Sequence, residues 1–403
     1  MRATALALVL LAAASAGRAG EVPDPVFWES EAEFLEQLED AQFIDRLELH
    51  LLQYSADPSW RFEWAAQRYA GNGVFGEFGS TTGDELYVNS QIALNLFPAK
   101  RLQFRYDRRD YRDGRFEISD QRFDAIWHAG AGWGAILTGW PTFDKEYSSI
   151  GIGVRLGAPK SRNALELLVV DDRFTWNEKT DDDTRFVRQP FRVLVDGFHE
   201  AGEWRVRGSV DFGLEYEAED AVAGRSTRGF QRFFDVGVER AHGDWAAGLR
   251  LTGAALLREQ AEADGGRFSL DRSWGRAVVS FRKQLGKWGV SALAGYAAQR
   301  DDFASPAAPE GSYDLRSILF GLEGALRVSK LVELRLGYLG SSQDAYRAAA
   351  GSLPERDEDG LFDKAHVRAV FSFAPTMSIE LLLSQAIQGG SFGGGSVKVL
   401  LVF

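Results

Sequence analysis

Apolar and polar residues alternate with a period of two along most of this chain. In the clearest stretch, residues 204–216, one side carries Trp204, Val206, Val210, Phe212, Leu214 and Tyr216, and the other carries Arg205, Arg207, Ser209, Asp211 and Glu215. Successive side chains of a β-strand point to opposite faces, so this alternation predicts a strand with one apolar and one polar face.

Comparable alternation recurs at 47–55, 60–64, 86–97, 102–109, 122–128, 133–140, 148–156, 164–172, 190–198, 230–240, 245–258, 274–283, 288–299, 316–328, 332–339, 365–373, 377–384 and 397–403. A solenoid or propeller would show a fixed repeat period, which is absent from the sequence, and a β-sandwich would not need so many long strands. We therefore predict an all-β fold, a transmembrane antiparallel up-and-down β-barrel of about 18 strands, with 16 as the next choice. An even count requires that 47–55 is not a full wall strand, because bacterial single-chain barrels are even-numbered.

The connections between these stretches alternate between short and long. Short connections are predicted at 98–100, 158–160, 200–202, 242–244, 285–287, 329–330 and 374–376, and long ones at 70–83, 174–186, 217–228, 259–268, 301–313 and 341–362. Outer-membrane barrels have short periplasmic turns and longer external loops, so this arrangement also favours the barrel.

The N-terminal region has a different pattern. Arg2, the apolar run that follows it and the small residues 14–16 are typical of a cleaved secretory signal peptide, which we predict over 1–19. Residues 20–46 are predicted to be an extension whose apolar residues recur at helical spacing opposite glutamates, which indicates a short acidic amphipathic helix over 27–42. We favour a lid or strap that packs on the barrel; a plug or a docking element for a periplasmic partner are the alternatives. The barrel is predicted to occupy 47–403.

Composition changes this picture little. Mean hydropathy is −0.22, and after the N-terminus no run reaches the roughly 18 apolar residues of a membrane helix, but 28 Phe, 11 Trp, 11 Tyr and 43 Gly suit a large antiparallel sheet. The chain has no Cys, which excludes disulfides and thiolate metal sites. The net charge of −12, or −14 without Arg2 and Arg18, argues against nucleic acid as a partner.

Aromatic residues mark the ends of the predicted strands. Tryptophans beside predicted turns are Trp60, Trp127, Trp133, Trp140, Trp204, Trp245 and Trp288. An indole is most stable at the level of the lipid headgroups, so these residues predict a girdle at the membrane surface. Trp64 and Trp274 do not fit it.

The polar face carries charges of both signs, with Arg far more frequent than Lys. Charges are costly on the lipid face, so we assign this face to the lumen. The pore-lining candidates are Arg105, Asp107, Arg109, Arg205, Arg207, Asp211, Arg250, Arg276, Arg335 and Arg368. Most lumen charges are expected to pair across strands, while Arg105, Asp107 and Arg109, and Arg205 with Arg207, are the candidates for an exposed basic patch that selects anionic solutes.

The sequence predicts no catalytic residue, no metal site and no cofactor. Of the five histidines, His128, His199 and His242 lie beside predicted short turns, and only His366 points into the lumen on a mid-barrel strand, near Arg368. No Ser or Asp accompanies His366 at a catalytic spacing, and no cluster has metal-ligand spacing. We interpret the acidic run 181–183 as a solvated loop, with binding of Ca²⁺ or bridging of lipopolysaccharide as the alternative.

The C-terminal stretch carries the only family resemblance. Val397, Val399, Leu401 and Phe403 alternate with Lys398, Leu400 and Val402. This resembles the terminal strand of bacterial outer-membrane β-barrels, the porin-like class, rather than any single family. The resemblance implies a Gram-negative outer membrane, contact with lipid and lipopolysaccharide, and Phe403 as the signal that the barrel assembly machinery recognises.

These features predict a porin-like channel, not an enzyme, through which small hydrophilic solutes, including anionic ones, diffuse passively. One alternative is an export or assembly barrel, for polysaccharide or secretion, whose N-terminal helix docks a periplasmic partner. The other is a structural barrel that is sealed by its own ion pairs.

Overall fold

The computed structural model describes residues 27–28, 30–35, 66–82, 86–112, 117–130, 132–141, 148–172, 184–188, 191–306, 310–349, 355–374, 377–388, 390 and 392–403. Several predictions lie outside these residues: the signal peptide, the helix beyond residue 35, the stretches 47–55 and 60–64 with Trp60 and Trp64, and the acidic run 181–183. Within the described part, short helical segments occupy 31–35 and 66–70.

Almost everything else is strand. The strands are β1 Gly73–Thr82, β2 Leu86–Ala99, β3 Leu102–Arg112, β4 Glu117–His128, β5 Trp133–Trp140, β6 Ser149–Leu156, β7 Ala164–Asp171, β8 Thr184–Arg188, β9 Phe191–Ala201, β10 Trp204–Gly213, β11 Tyr216–Asp220, β12 Arg225–His242, β13 Trp245–Ala261, β14 Arg267–Leu285, β15 Trp288–Ala304, β16 Gly311–Arg327, β17 Val332–Ala349, β18 Glu355–Ala374, β19 Met377–Ala386 and β20 Phe392–Val402.

These segments form a closed barrel of 18 antiparallel wall strands, which confirms the predicted fold. β8 and β9 are two parts of one wall strand, and β10 and β11 are two parts of the next, because β10 pairs with β9 and β12 while β11 pairs with β8 and β12. The sheet closes where β1 pairs with β20, with Val74 opposite Leu401. Closure removes the sheet edges, which a strand in lipid cannot leave unpaired.

The first described wall strand corrects one prediction. Residues 70–83 were expected to be a long loop, but β1 occupies Gly73–Thr82 and pairs along its length with β2. Glycines at 73, 76 and 79 interrupt the alternation of apolar and polar side chains in this stretch. Hydrogen bonding of the backbone to both neighbours forms the strand although its side-chain pattern is weak.

Several other predicted loops are also wrong, because the strands are longer than their apolar stretches. Strands β12 to β18 contain 17 to 20 residues each, whereas about 9–11 tilted residues cross a bilayer. The predicted loops 217–228, 259–268, 301–313 and 341–362 are therefore partly strand, and β8 takes up part of 174–186. Outside the membrane the outer face need not be apolar. The alternation of apolar and polar residues therefore stops there, while the backbone hydrogen bonds between neighbouring strands continue.

The two faces of the wall are divided as the alternation predicts. Phe123, Leu137, Ile152 and Leu336 are among the large apolar side chains exposed on the outer face. Trp127, Trp133, Trp204 and Trp288 are exposed beside short turns and form part of the predicted girdle. We assign this end of the barrel, which also holds the C-terminus, to the periplasm. Trp140 is an exception: it lies on the inner face, where Arg122 and Arg192 stack over its ring at 5.0 and 5.1 Å.

The inner face is not only polar. Buried aliphatic residues occupy it at two places, Ile126, Ile136, Leu168, Val170 and Leu194 on one side and Val278, Leu293 and Leu319 on another. A glycine allows the second group to lie flat on the wall, since a Cβ at Gly321 would come 2.4 Å from Leu339 Cδ2. No helix within the described ranges is long and apolar enough to cross a membrane.

Candidate functional site: charged clusters on the inner wall

Three clusters of charged residues lie on the inner wall. The buried cluster consists of Arg105, Arg122, Asp124, Arg155, Glu166 and Asp196; the accessible cluster consists of Arg205, Arg207, Asp235, Glu239 and Arg250; the Glu323 cluster consists of Glu77, Glu323, Glu333, Arg335, His366, Arg368, Glu380 and Lys398. Arg105, Arg207 and Arg335 each stand three residues after the start of a strand that begins at the periplasmic end. The clusters therefore lie at a similar depth, in the periplasmic half of the barrel.

Strand register brings the charges within each cluster together. Arg105 is directly opposite Asp124, and Arg155 is directly opposite Glu166. Arg205 pairs with Glu239 in the same way, as do Glu380 and Lys398. Opposite residues on one face of an antiparallel sheet have Cβ atoms about 4.5–5.5 Å apart, which suits side-chain ion pairs.

The buried cluster centres on Glu166. Arg105 makes two parallel hydrogen bonds to its carboxylate, at 2.9 and 2.7 Å, and a further ion pair at 2.7 Å to Asp124. The fully buried Arg155 lies 3.6 Å from Glu166 and donates hydrogen bonds to the carbonyl of Tyr69 and the side chain of Gln103, both at 3.1 Å. Bidentate geometry and additional hydrogen bonds are what a desolvated ion pair needs to be tolerated.

A segment of the chain covers this cluster from the lumen side. Residues 66–72, the periplasmic anchor, precede β1 and pack through Ala66 and Tyr69 against Ala164 and Phe198. The polar wall residues bind its backbone: Gln103 Nε2 donates to the Arg68 carbonyl at 3.3 Å. In return Asn72 Oδ1 accepts from the N–H of Phe97 at 2.6 Å. The anchor excludes water from the cluster and makes it part of a packed interior.

The accessible cluster has a different setting. Arg207 and Arg250 both bind Asp235, at 3.0 and 2.8 Å, and Arg205 binds Glu239. Arg207 and Arg250 keep 17% and 23% of their side-chain surface exposed, compared with 4% for Arg105. Within the cluster as defined, three arginines bind two carboxylates.

The Glu323 cluster continues around the wall from β16 to β1. Glu323 Oε2 lies 3.0 Å from His366 Nε2, and Arg335 donates to Oε1 at 3.2 Å. Arg368 bridges Glu323 and Glu380, at 3.7 and 3.4 Å. His366 thus faces the lumen beside Arg368, as the sequence predicts, but its direct neighbour is the carboxylate of Glu323, which comes from another strand.

The pore-lining candidates are divided among these clusters. Arg205, Arg207 and Arg250 come together in the accessible cluster, Arg105 belongs to the buried cluster, and Arg335 and Arg368 belong to the Glu323 cluster. The others lie outside: Arg109 is exposed 3.9 Å from Asp107, Asp211 pairs with Arg192 at 2.9 Å, and Arg276 is buried on β14. The basic side chains expected to form exposed patches are mostly in ion pairs, and their role in lining a pore stays a prediction.

Sequence reasoning missed the polar residues that hold the periplasmic anchor. His128 is an example. The sequence shows it only as a histidine beside a predicted short turn, but it is fully buried on the inner wall, with its Nε2 atom 3.2 Å from Gln103 Oε1. Its place on the same face as Asp124, four residues before it in the strand, is the one available signal. Among the described residues, no group of three His, Asp or Glu side chains is arranged to hold a metal ion.

Comparison with known proteins gives only structural likenesses. No family model matches the chain, and no curated protein matches it. Among solved structures, a loop L8 deletion mutant of OmpT, an outer membrane protein of Vibrio cholerae, is 12% identical, with 83% of this chain and 100% of that chain covered and a TM-score of 0.36. Pseudomonas aeruginosa OccK2, solved in complex with glucuronate, is 10% identical, with coverages of 83% and 98% and a TM-score of 0.37.

The CymD monoaromatic hydrocarbon channel is 9% identical, with coverages of 88% and 96% and a TM-score of 0.34. Likenesses at these scores carry no weight for function. The closed ladder of strands and the apolar outer face decide the class. The chain has the fold of an outer-membrane β-barrel.

Proposed function

We propose that this barrel is a passive channel for small hydrophilic solutes, without catalysis or a cofactor. The supporting observation is its width. Eighteen strands spaced by about 4.8 Å and tilted by about 40° enclose a cylinder roughly 36 Å across at the backbone. Wall side chains fill an eight-stranded barrel, but they leave an aqueous channel in barrels of 16 to 18 strands.

The accessible cluster supports a preference for anionic solutes. Its arginines keep part of their surface exposed on the inner wall, and they outnumber the carboxylates three to two. Charged side chains at the wall of a narrow passage select permeant ions by sign. In this proposal the accessible cluster lines the passage, whereas the buried cluster maintains the wall.

The location and partners of the protein follow from the same proposal. The outer face contacts membrane lipid and lipopolysaccharide, and the terminal strand with Phe403 is recognised during assembly. In support, Phe403 has an exposed side chain, and its N–H donates to the Asn72 carbonyl at 2.9 Å. Export through the segment 1–19 also remains part of the proposal.

Conductance of the purified protein in planar lipid bilayers tests the channel, and swelling of proteoliposomes in neutral sugars of increasing size tests the passage of solutes. We expect discrete conductance steps, faster swelling with the smaller sugars, and a reversal potential in a KCl gradient that indicates preference for anions. Correctly folded protein that neither conducts nor causes swelling would contradict the proposal and favour a sealed structural barrel.

A further inference from the structure

Residues 27–28 and 30–35 lie against the inner wall near its external end, at the ends of β12 to β15 that are farthest from the periplasm. Trp28 binds Gln260 of β13 through its backbone: its N–H donates to Gln260 Oε1 at 2.7 Å, and its carbonyl accepts from Gln260 Nε2 at 2.8 Å. This reciprocal pair satisfies both polar groups of the buried Gln260 amide.

Aromatic packing fixes the same segment. Trp28 and Phe34 meet edge to face at 4.9 Å and are both fully buried. They form one cluster with Phe268 and Leu270 of β14, against which Leu256 and Phe303 also pack. The burial of two large aromatic side chains is the main apolar contribution to holding this segment.

Cationic and polar wall residues add specificity for this sequence. The guanidinium of Arg258 lies over the Trp28 ring at 4.0 Å, and that of Arg225 lies over the Phe27 ring at 4.8 Å. Ser305 donates a hydrogen bond to the Glu31 carboxylate at 2.5 Å.

Asp220 holds the Arg225 guanidinium that lies over Phe27, and the two side chains are hydrogen-bonded at 3.0 Å. Burial opposes ionisation of Asp220, but the N–H groups of Ala223 and Val222 and the Arg225 guanidinium outweigh it and lower the pKa of that carboxyl.

These contacts resemble the recognition of a peptide more than the core of a barrel. The segment is joined covalently to the barrel, so its binding is intramolecular and weak intrinsic affinity is enough for occupancy. A cavity of about 1050 Å³ borders it and is lined by Gln260, Phe268 and Ser305 among others. This space gives the segment room to leave the wall.

We propose that this part of the inner wall is a binding site for an aromatic, acidic peptide, and that residues 27–28 and 30–35 belong to its tethered occupant, which restricts the passage of solutes. The second clause rests on the proposed channel function. The occupant is a segment of this same chain, because its side chains match the wall. Trp28 meets the Arg258 cation and the Gln260 amide, Phe34 packs in the aromatic cluster, and Glu31 accepts from the Ser305 hydroxyl.

Chemical labelling tests occupancy independently of conduction. The chain has no Cys, so Ser305→Cys introduces a single thiol beneath the segment, where Ser305 is buried. The substitution also replaces the hydroxyl that binds Glu31, so every labelling rate is compared within the Ser305→Cys background. We expect a membrane-impermeant maleimide to label it slowly in the otherwise native chain. The double substitution Trp28→Ala and Phe34→Ala should accelerate labelling at least tenfold, which corresponds to about 1.4 kcal/mol of lost occupancy.

Three controls isolate the effect. Leu35→Ala changes an exposed apolar residue of the same segment and should leave the rate unchanged. Ser273→Cys places the thiol at an exposed position of β14 and should be labelled at one rate in every background. A synthetic peptide with the sequence of residues 27–35 should slow the labelling of Ser305→Cys in the double variant, whereas a scrambled peptide should not.

Conductance measurements in planar bilayers then test whether the segment restricts the passage of ions through the barrel. The double variant should pass more current than the native chain, and the 27–35 peptide should reduce that current. Labelling of Ser305→Cys that is equally fast in the native and double-variant backgrounds, or that the peptide does not slow, would overturn the binding site. Accelerated labelling with unchanged current would overturn the restriction alone. A barrel that conducts in no variant would overturn the channel function, and the labelling result would still stand.

Discussion

The buried and accessible clusters use the same residue types at the same depth of the barrel, but they have different surroundings. In the buried cluster, Glu166 and Arg155 have no exposed surface, because the periplasmic anchor packs over them. In the accessible cluster, Arg207 and Arg250 remain partly exposed. What packs against the inner wall therefore decides whether an ion pair is structural or can face a solute.

The comparison predicts different consequences when a charge is removed. Removing one partner of a buried ion pair leaves a desolvated charge, which costs far more than the pair contributes when intact. At the accessible cluster the remaining arginine can reach water, and screening reduces the loss.

The largest expected effect is at Glu166. Glu166→Gln preserves shape but leaves Arg105 and Arg155 without their shared carboxylate, and we expect the free energy of unfolding to fall by about 3–5 kcal/mol. The matched substitution Asp235→Asn should lower it by only about 1–2 kcal/mol. Urea unfolding of both variants in lipid vesicles measures the difference. Equal losses would show that the two clusters do not differ in burial as described.

A second expected effect concerns packing in the Glu323 cluster. A Cβ at Gly337 would lie 2.4 Å from the His366 ring, so Gly337→Ala should displace His366 from Glu323. We expect a loss of about 1–3 kcal/mol, which is typical of overpacking. Gly324→Ala on the neighbouring strand, where the nearest atom is 3.9 Å away, is the control and should lose much less.

A smaller effect, on selectivity rather than stability, is expected from Asp235→Asn. The variant removes the carboxylate charge that binds Arg207 and Arg250, so the anion-to-cation permeability ratio should rise, by roughly twofold. The reversal potential in a KCl gradient measures this ratio. In folded Glu166→Gln protein the ratio should equal that of the native chain, and a comparable rise there would place the buried cluster in the ion pathway.

The smallest expected effect is at the periplasmic turn between β9 and β10. Hydrogen bonds from His242 and Arg240 lower the pKa of the exposed Glu203 carboxyl. A lowered pKa adds stability above the ordinary carboxyl pKa, and this contribution is lost as the pH falls through the folded-state value. Because Glu203 is hydrated, unfolding of the native chain and Glu203→Gln should coincide at pH 7 and at about pH 4. A clear difference would mean that surface pairs matter as much as inner-wall pairs.

Much of the barrel could be predicted from alternation alone. The membrane-crossing parts of the strands carry it because one face meets lipid, and so the assignment of faces was correct. The predicted number of 18 strands also agrees, but the predicted set counted 60–64 and did not include β1. The external extensions of β12 to β18 could not be predicted in this way, since no lipid contacts their outer face. β1 was not predicted because glycines occupy positions where alternating apolar and polar side chains would have indicated a strand.

The division between the clusters could not be predicted. The sequence places both Arg105 and Arg207 on the lumen face, and nothing in it indicates that one is buried and the other partly exposed. The difference arises from the periplasmic anchor, which contacts β2, β3, β6, β7 and β9, elements far from it along the chain. Trp140, in contrast, could have been placed from the sequence: it lies seven residues after the exposed Trp133, so alternation along β5 puts the two indoles on opposite faces of the wall.

The most direct test of the account is whether water and ions pass the accessible cluster but not the buried one. Gly248→Cys places a thiol opposite Glu239 of the accessible cluster, and Thr138→Cys places one beside Asp124, to which Thr138 donates a hydrogen bond at 2.6 Å. The measurement is the current through each variant in a planar bilayer while a charged, water-soluble thiosulfonate is added. We expect the current through Gly248→Cys to fall and the current through Thr138→Cys to stay constant. A fall of the same size in both variants, or no current through either folded protein, would contradict the account.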